Sequence, residues 1–360
     1  MLPNNRTDLL IETLTEKNVP PSIIDAVIES GFRMERSRNA FNGKSALIVR
    51  DSMYGNKQFS STFDIGDFVR YILGEYQFPS MGSFRCFEAR SVTEIRELLT
   101  EPPRAHYVSE GSMTFRGQPS QYRFRRKIPS PVRADKEGFE ISVLPGIYRQ
   151  QGALYSFKRD PQQEIRSFSW LLEDLEPNNP HVRLDQSHAY DIIRTEQHYA
   201  TQTAGLDVGF EIDTAIFFAT HNFKRDAVGQ AYYERIRSGE HSGVIYCFRF
   251  RDPPVKRTQY LIKDFDLFKT FRPERILRQD CGLPIIGPYE RNIAITDIDC
   301  IIKLHSDFAL PADFSKTPQY MFPDVLQDKF YGKLLDLKEI FPEELSAVVE
   351  YRWARPLRTR

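Results

Sequence analysis

The stretch Gly243-Val244-Ile245-Tyr246-Cys247-Phe248-Arg249-Phe250 decides the fold. Branched and aromatic residues fill it, and Pro253-Pro254 stops it, so it reads as a strand. Upstream, residues 211–222 read as an apolar helix containing Ile212, Ala215, Ile216, Phe217, Phe218 and Ala219. Met113-Thr114-Phe115-Arg116 reads as a second strand, ending at Gly117, and Ile293 to Leu304 as a third. The chain is therefore expected to be α+β, with mixed, mainly antiparallel central sheets flanked by helices.

The flanking segments supply helices. Leu9, Leu10 and Leu14, then Ile23, Ile24, Val27 and Ile28, recur at helical spacing on either side of Pro20-Pro21, which predicts a helical arm over residues 7–32. Pro21 or Ser22 can start its second helix and Gly31 can end it. Ser45 to Arg50 reads as a strand, with a turn at Tyr54-Gly55-Asn56. Residues 66–76 and 91–99 read as helices, the latter opened by a Ser91/Glu94 capping box. Residues 161–174 and 185–204 also look helical. The region 322–352 is expected to be largely helical, with Leu326, Leu334, Leu335, Leu337, Ile340 and Phe341 as core candidates. The division expected is an accessory region 1–83, a main domain 84–352 and a tail 353–360.

Composition excludes some classes of function. Of 360 residues, 41% are hydrophobic and 27% charged, enough apolar material for a packed core. Lys plus Arg and Asp plus Glu both number 49, so no net field draws the chain to nucleic acid or an anionic membrane. The 27 Phe and 17 Tyr favour strands and a well-filled core. Cys86, Cys247, Cys281 and Cys300 form no CxxC pair and join no His/Cys cluster, so no metal site is expected. Reduced thiols, and an opening Met1-Leu2-Pro3-Asn4-Asn5-Arg6 without a signal-peptide pattern, lead to the expectation of a cytoplasmic protein. No apolar run approaches the roughly 20 residues of a membrane span. The sequence contains no GxxxxGK[ST], GxSxG, HExxH or GxGxxG motif.

Three short blocks carry chemistry. In Phe115-Arg116-Gly117-Gln118, an arginine beside glycine at a strand end suits an anionic ligand. The guanidinium can grip phosphate in a fork, and a residue without Cβ lets a ligand near the backbone. An ion pair at a turn would look the same. In Gln197-His198-Tyr199, a Tyr ring can stack on a flat heterocycle and His198 can exchange a hydrogen bond or act as a base. The alternative is a core Tyr and a packed His. In Arg275-Ile276-Leu277-Arg278-Gln279-Asp280-Cys281-Gly282, Gln279 could read a ribose hydroxyl, or the block could be a surface strand of alternating charge. Asp207 reads mainly as a cap of the apolar helix, with Glu196 and Glu211 as further acids. The run Gln121-Tyr122-Arg123-Phe124-Arg125-Arg126-Lys127 could meet nucleic acid, or form a strand with Arg123 and Arg125 on a solvated face.

Taken in order, these blocks resemble the signatures of the FRG domain family over about residues 84–352. The opening block is followed by Leu144-Pro145-Gly146-Ile147-Tyr148-Arg149, similar to the family's P-S-x-x-R segment. The central block resembles Gln197-His198-Tyr199-Ala200, Leu206-Asp207 and Ala215-Ile216-Phe217-Phe218-Ala219. Arg275-Ile276, Gln279 and Gly282 resemble the third, and Ile340-Phe341-Pro342-Glu343-Glu344-Leu345 the closing helix. Thr203-Ala204-Gly205 stands where the family has Thr-Arg, and Val208 where it has Trp.

The resemblance implies an ADP-ribosyltransferase-like fold and an NAD-using effector of bacterial toxin or phage-defence type. By it, Arg116, Gly117, Gln118, Tyr199 and Arg275 would bind NAD. Arg116, His198, Tyr199 and Gln279 would act in catalysis, with Gln279 where relatives carry glutamate. The implied partner is a macromolecular acceptor (protein or nucleic acid) or a cognate antitoxin, with no membrane and an open oligomeric state. NAD hydrolysis, or a non-catalytic module binding a nucleotide or nucleic acid, is the alternative.

Overall fold

A computed structural model describes residues 4–38, 45–54, 62–79, 84–149, 194–200, 205–250, 254, 270–284, 292 and 297–355. The expected turn at 55–56, the helix 161–174, and the parts of the 185–204 helix and 293–304 strand beyond those ranges lie outside them. The strands are β1 (Phe32–Arg38), β2 (Ser45–Asp51), β3 (Thr62–Asp64), β4 (Arg85–Ser91), β5 (Thr114–Gln118), β6 (Arg123–Phe124) and β7 (Glu140–Ile141). They continue with β8 (Val208–Gly209), β9 (His221–Arg225), β10 (Ala231–Arg235), β11 (Val244–Phe248), β12 (Cys281–Gly282) and β13 (Ile298–Ala309). The helices are α1 (Asn4–Glu16), α2 (Pro21–Glu29), α3 (Ile65–Ile72), α4 (Val92–Thr100) and α5 (Arg104–Ser109). Then come α6 (Ile212–Thr220), α7 (Glu274–Gln279), α8 (Pro318–Met321) and α9 (Lys329–Ile340).

Contacts gather the chain into two units. One takes Met1–Ser83, Tyr122–Pro161 and Ile286–Thr296; the other takes Phe84–Gln121, Gln162–Ile285 and Asp297–Arg360. The first unit is more than the helical arm expected. Helices α1 and α2 form as predicted, with Pro21 in the first turn of α2 and Gly31 at a positive φ of 88° just past it. Next to them lies an antiparallel β1-β2-β3 sheet, in register Phe32↔Asp51 through Arg38↔Ser45. Leu10, Leu14, Val27, Phe32, Val49 and Phe68 close its core, and the Phe32 and Phe68 rings are 4.8 Å apart. Strands β6 and β7 pair within the same unit.

The second unit is built on a six-stranded sheet in the order β12-β8-β5-β11-β13-β4. Its neighbours are antiparallel except β13 and β4, which run parallel. The mixed, mainly antiparallel sheet flanked by helices is thus as the sequence indicates. Alternation along β5 and β11 separates two faces. Phe115, Ile245 and Cys247 join Ala215, Ile216 and Ala219 of α6 and Ile95 and Leu99 of α4 in one core. Thr114, Arg116, Gln118 and Tyr246 therefore stand on the other face. Helix α4 forms half of its expected capping box: the Ser91 hydroxyl accepts from Glu94 N–H at 3.2 Å, while Glu94 Oε2 accepts from Arg90 N–H, one residue before the cap, at 2.7 Å.

Three expectations need correction here. The third block is not a strand: Glu274–Gln279 is helical, and Arg275, Ile276 and Gln279 bury a single face at i, i+1 and i+4. Asp280 ends it in the left-handed region at φ 47°. Leu326 and Ile340 are not core; they are 69% and 67% exposed, while Leu334, Leu335 and Leu337 face inward. Strand β5 also does not stop at Gly117 but runs through it to Gln118.

Candidate functional site

Helix α6 sets the geometry. Its apolar face presses so closely on β5 that a methyl group on Gly117 would run into the Ala215 carbonyl oxygen, 2.7 Å from that carbon and 2.8 Å from Ala219 N. Gly243, which immediately precedes β11, meets the Ala219 carbonyl in the same way. Gly117 thus makes room for the helix, not for a ligand, which replaces the role expected from the sequence.

On the opposite face, Arg116 turns toward the second block. Its Nη1 donates to the Asp207 carbonyl oxygen at 2.6 Å and to Asp207 Oδ1 at 2.8 Å. Gln197 Nε2 donates to the same Oδ1 at 2.9 Å. Asp207 is therefore the hub between two blocks and not a helix cap; Glu211 holds the N-cap position of α6. Burial alone would raise the Asp207 carboxyl, but Arg116 and His198 outweigh it, and its pKa is lowered to about 2. Arg116 Nε, fully buried, has no partner among the described residues.

His198 follows Gln197 on a short helical stretch, 194–199. Its Nδ1 lies 2.7 Å from the Arg194 carbonyl oxygen. Burial lowers its pKa to about 4. At neutral pH the ring is uncharged, so the proton on Nδ1 makes that bond and Nε2 is a bare acceptor. That Nε2 is buried and has no partner among the described residues.

The third block meets the second around Arg275, which is 0% exposed. Its Cζ stands 3.7 Å from the Tyr331 ring centre, 4.7 Å from Tyr199 and 5.0 Å from Tyr351. Nη1 donates to the His198 carbonyl oxygen at 3.3 Å; Nε and Nη2 have no partner among the described residues. The Tyr199 hydroxyl donates to Asp328 Oδ2 at 2.7 Å, and Gln279 Nε2 donates to the Met321 carbonyl oxygen at 3.0 Å. Tyr199, Arg275 and Gln279 are thus core side chains. The ring expected against nicotinamide has a guanidinium over it, and the amide expected on a ribose is held by the backbone.

Of the other acids, Glu211 is half-exposed and pairs with Lys316 at 3.0 Å. Glu196 is buried. Sequence reasoning missed Asp328, Tyr331 and Tyr351, which surround Arg275. The only local signal was aromatic density in a tail otherwise read as packing.

The 121–127 run lies largely in the first unit and has acidic partners there. Arg123 pairs with Asp135 at 3.0 Å and Lys127 with Glu29 at 2.6 Å. Arg126 is fully buried between Asp51 and Glu140. With three of its cations matched by carboxylates, the run loses the charge a nucleic-acid footprint needs.

Among the described residues, no group of three or more His, Cys, Asp and Glu is placed to hold a metal ion, and no helix is long and apolar enough to cross a membrane. No family model, no curated protein and no solved structure matches the chain.

Proposed function

We propose that the second unit is an NAD-using, ADP-ribosyltransferase-like effector of toxin or phage-defence type, a member of the FRG group. The observation that supports this reading is the joining of the blocks. Arg116 reaches Gln197 through Asp207, and His198 meets Arg275 one residue on. Blocks about eighty residues apart or more in sequence thus form one buried polar cluster, as a shared site requires.

The chemistry assigned to the site is cleavage of the bond between nicotinamide and ribose. The bonding electrons leave with nicotinamide, and an oxocarbenium-like centre forms on the ribose. Arg116 would hold the pyrophosphate through its open Nε–H. Asp207, ionised throughout the neutral range, would stabilise the developing positive charge. His198 Nε2, a neutral acceptor, would orient a hydroxyl. A protein or nucleic-acid acceptor, or water in the hydrolytic variant, would then attack the ribose carbon and lose its proton to solvent.

The test is nicotinamide release from NAD. Release should fall at least about a hundredfold in Arg116→Ala and Asp207→Asn. It should fall far less in Gln279→Ala, whose amide serves the backbone. No release from wild type at any NAD concentration would refute the reading. The engagement of Tyr199, Arg275 and Gln279 in the core favours one rival, a module that binds a nucleotide without turning it over. Saturable NAD binding with no release would establish that rival.

A further inference from the structure

Strand β5 carries Thr114, Arg116 and Gln118 on the face turned away from α6, and β11 sets Tyr246 directly opposite Arg116 in antiparallel register. All four are buried or nearly so, with Tyr246 at 0% and Gln118 at 4% exposure. Each ends in a buried polar atom with no hydrogen-bond partner among the described residues: Thr114 Oγ1, Arg116 Nε, Gln118 Oε1 and Tyr246 Oη. Buried polar atoms in proteins are nearly always paired, because leaving them unpaired forfeits their hydration. One orphan is unremarkable. Four on adjacent positions of one sheet face form a pattern, extending about 13 Å along β5 at the ordinary rise per residue.

We infer that this row is a ligand-binding surface for a small molecule bearing hydroxyl and anionic groups, and that Tyr246 is one of its contact residues. The chemistry is mixed in a way that fits such a ligand. Arg116 Nε–H and the Thr114 and Tyr246 hydroxyls can donate, while the Gln118 carbonyl accepts. A sugar phosphate offers both complements. An apolar ligand would leave all four unpaired, and a small inorganic anion is too short to reach along the whole row. The inference rests on the reading above for its probes, and it adds two residues, Thr114 and Tyr246, to which the signature blocks assign no contact role.

Unpaired groups make a specific prediction. Replacing an orphan by its apolar isostere should leave the ligand-free protein unharmed, since no bond is lost, and should weaken binding. Tyr246→Phe is the cleanest variant, because it removes one oxygen, and Gln118→Leu is the second. Thermal unfolding without ligand and calorimetric titration with NAD, ADP-ribose and AMP are measured for wild type and both variants. Each variant is expected to melt at or above the wild-type temperature and to bind the best probe about tenfold more weakly, equivalent to about 1.4 kcal/mol. A lower melting temperature in Tyr246→Phe overturns the proposal, because the hydroxyl then has a structural partner. So does unchanged affinity in both variants. Binding of ADP-ribose or AMP but not NAD, weakened by Tyr246→Phe, would keep the row and remove the NAD reading. A wild type that binds none of the three removes both.

Discussion

Two arginines are buried to the same degree and kept in opposite ways. Arg126, in the first unit, has all five N–H groups engaged. It makes bonds of 2.8 Å to each Asp51 oxygen, 2.9 Å to each Glu140 oxygen and 2.7 Å to the Ser30 carbonyl. The Tyr54 hydroxyl donates to Glu140 as well. Arg275, in the second unit, makes one long side-chain hydrogen bond among the described residues and sits in a box of rings. The first arrangement is a saturated ionic staple, whose members depend on one another. The second relies on the quadrupoles of aromatic rings and leaves two nitrogens open. A saturated cluster has no capacity left for a ligand. The open nitrogens of Arg275, with those of Arg116 and His198, belong to the part of the second unit where a function is proposed.

The largest expected effect breaks the first arrangement. Arg126→Met leaves Asp51 and Glu140 buried without their cation and should destabilise the first unit by about 3–5 kcal/mol. Urea unfolding measures it; a cost below 1 kcal/mol would mean that water reaches these carboxylates. Arg275→Met should cost less, about 2 kcal/mol, since a thioether can sit among the same rings and few hydrogen bonds are lost. If the two substitutions cost the same, the contrast between staple and box fails.

The most gradual effect is a pH dependence. His198 keeps its neutral form in the native state, with a pKa of about 4, whereas an unfolded histidine takes its proton near 6.5. The unfolded chain therefore binds a proton first as pH falls. Stability is full above about pH 6.5 and declines between about 6.5 and 4, by at most about 3 kcal/mol from this group. His221, also lowered to about 4 by burial, acts in the same direction. Stability against pH for wild type and His198→Asn separates them. The variant should have the shallower acid slope, and equal slopes would show that His198 is hydrated.

Local signals survived the comparison with structure and distant ones did not. Ser91 and Glu94 announced their helix because the cap lies within four residues of what it caps. The β11 strand was legible because branched and aromatic residues are contiguous in it. Nothing marked Arg126 as the centre of an ion cluster, because its acids lie 75 and 14 residues away with no periodicity to mark them. Asp207 looked like a cap for the same reason: its true partner, Arg116, is 91 residues upstream. Glycine at 117 was read as a place where a ligand nears the backbone, and a helix does so instead, which the residue type alone cannot distinguish. Tyr246 gave no signal, since a strand tyrosine with an orphaned hydroxyl spells the same as one with a partner.

The most direct test of the account follows the Arg116 Nε–H resonance, assigned by its loss in Arg116→Lys, while NAD is titrated into the protein. A saturable shift of that resonance is expected at the concentrations where NAD binds. Saturating NAD that leaves it unmoved, or no binding of NAD at all, would contradict it.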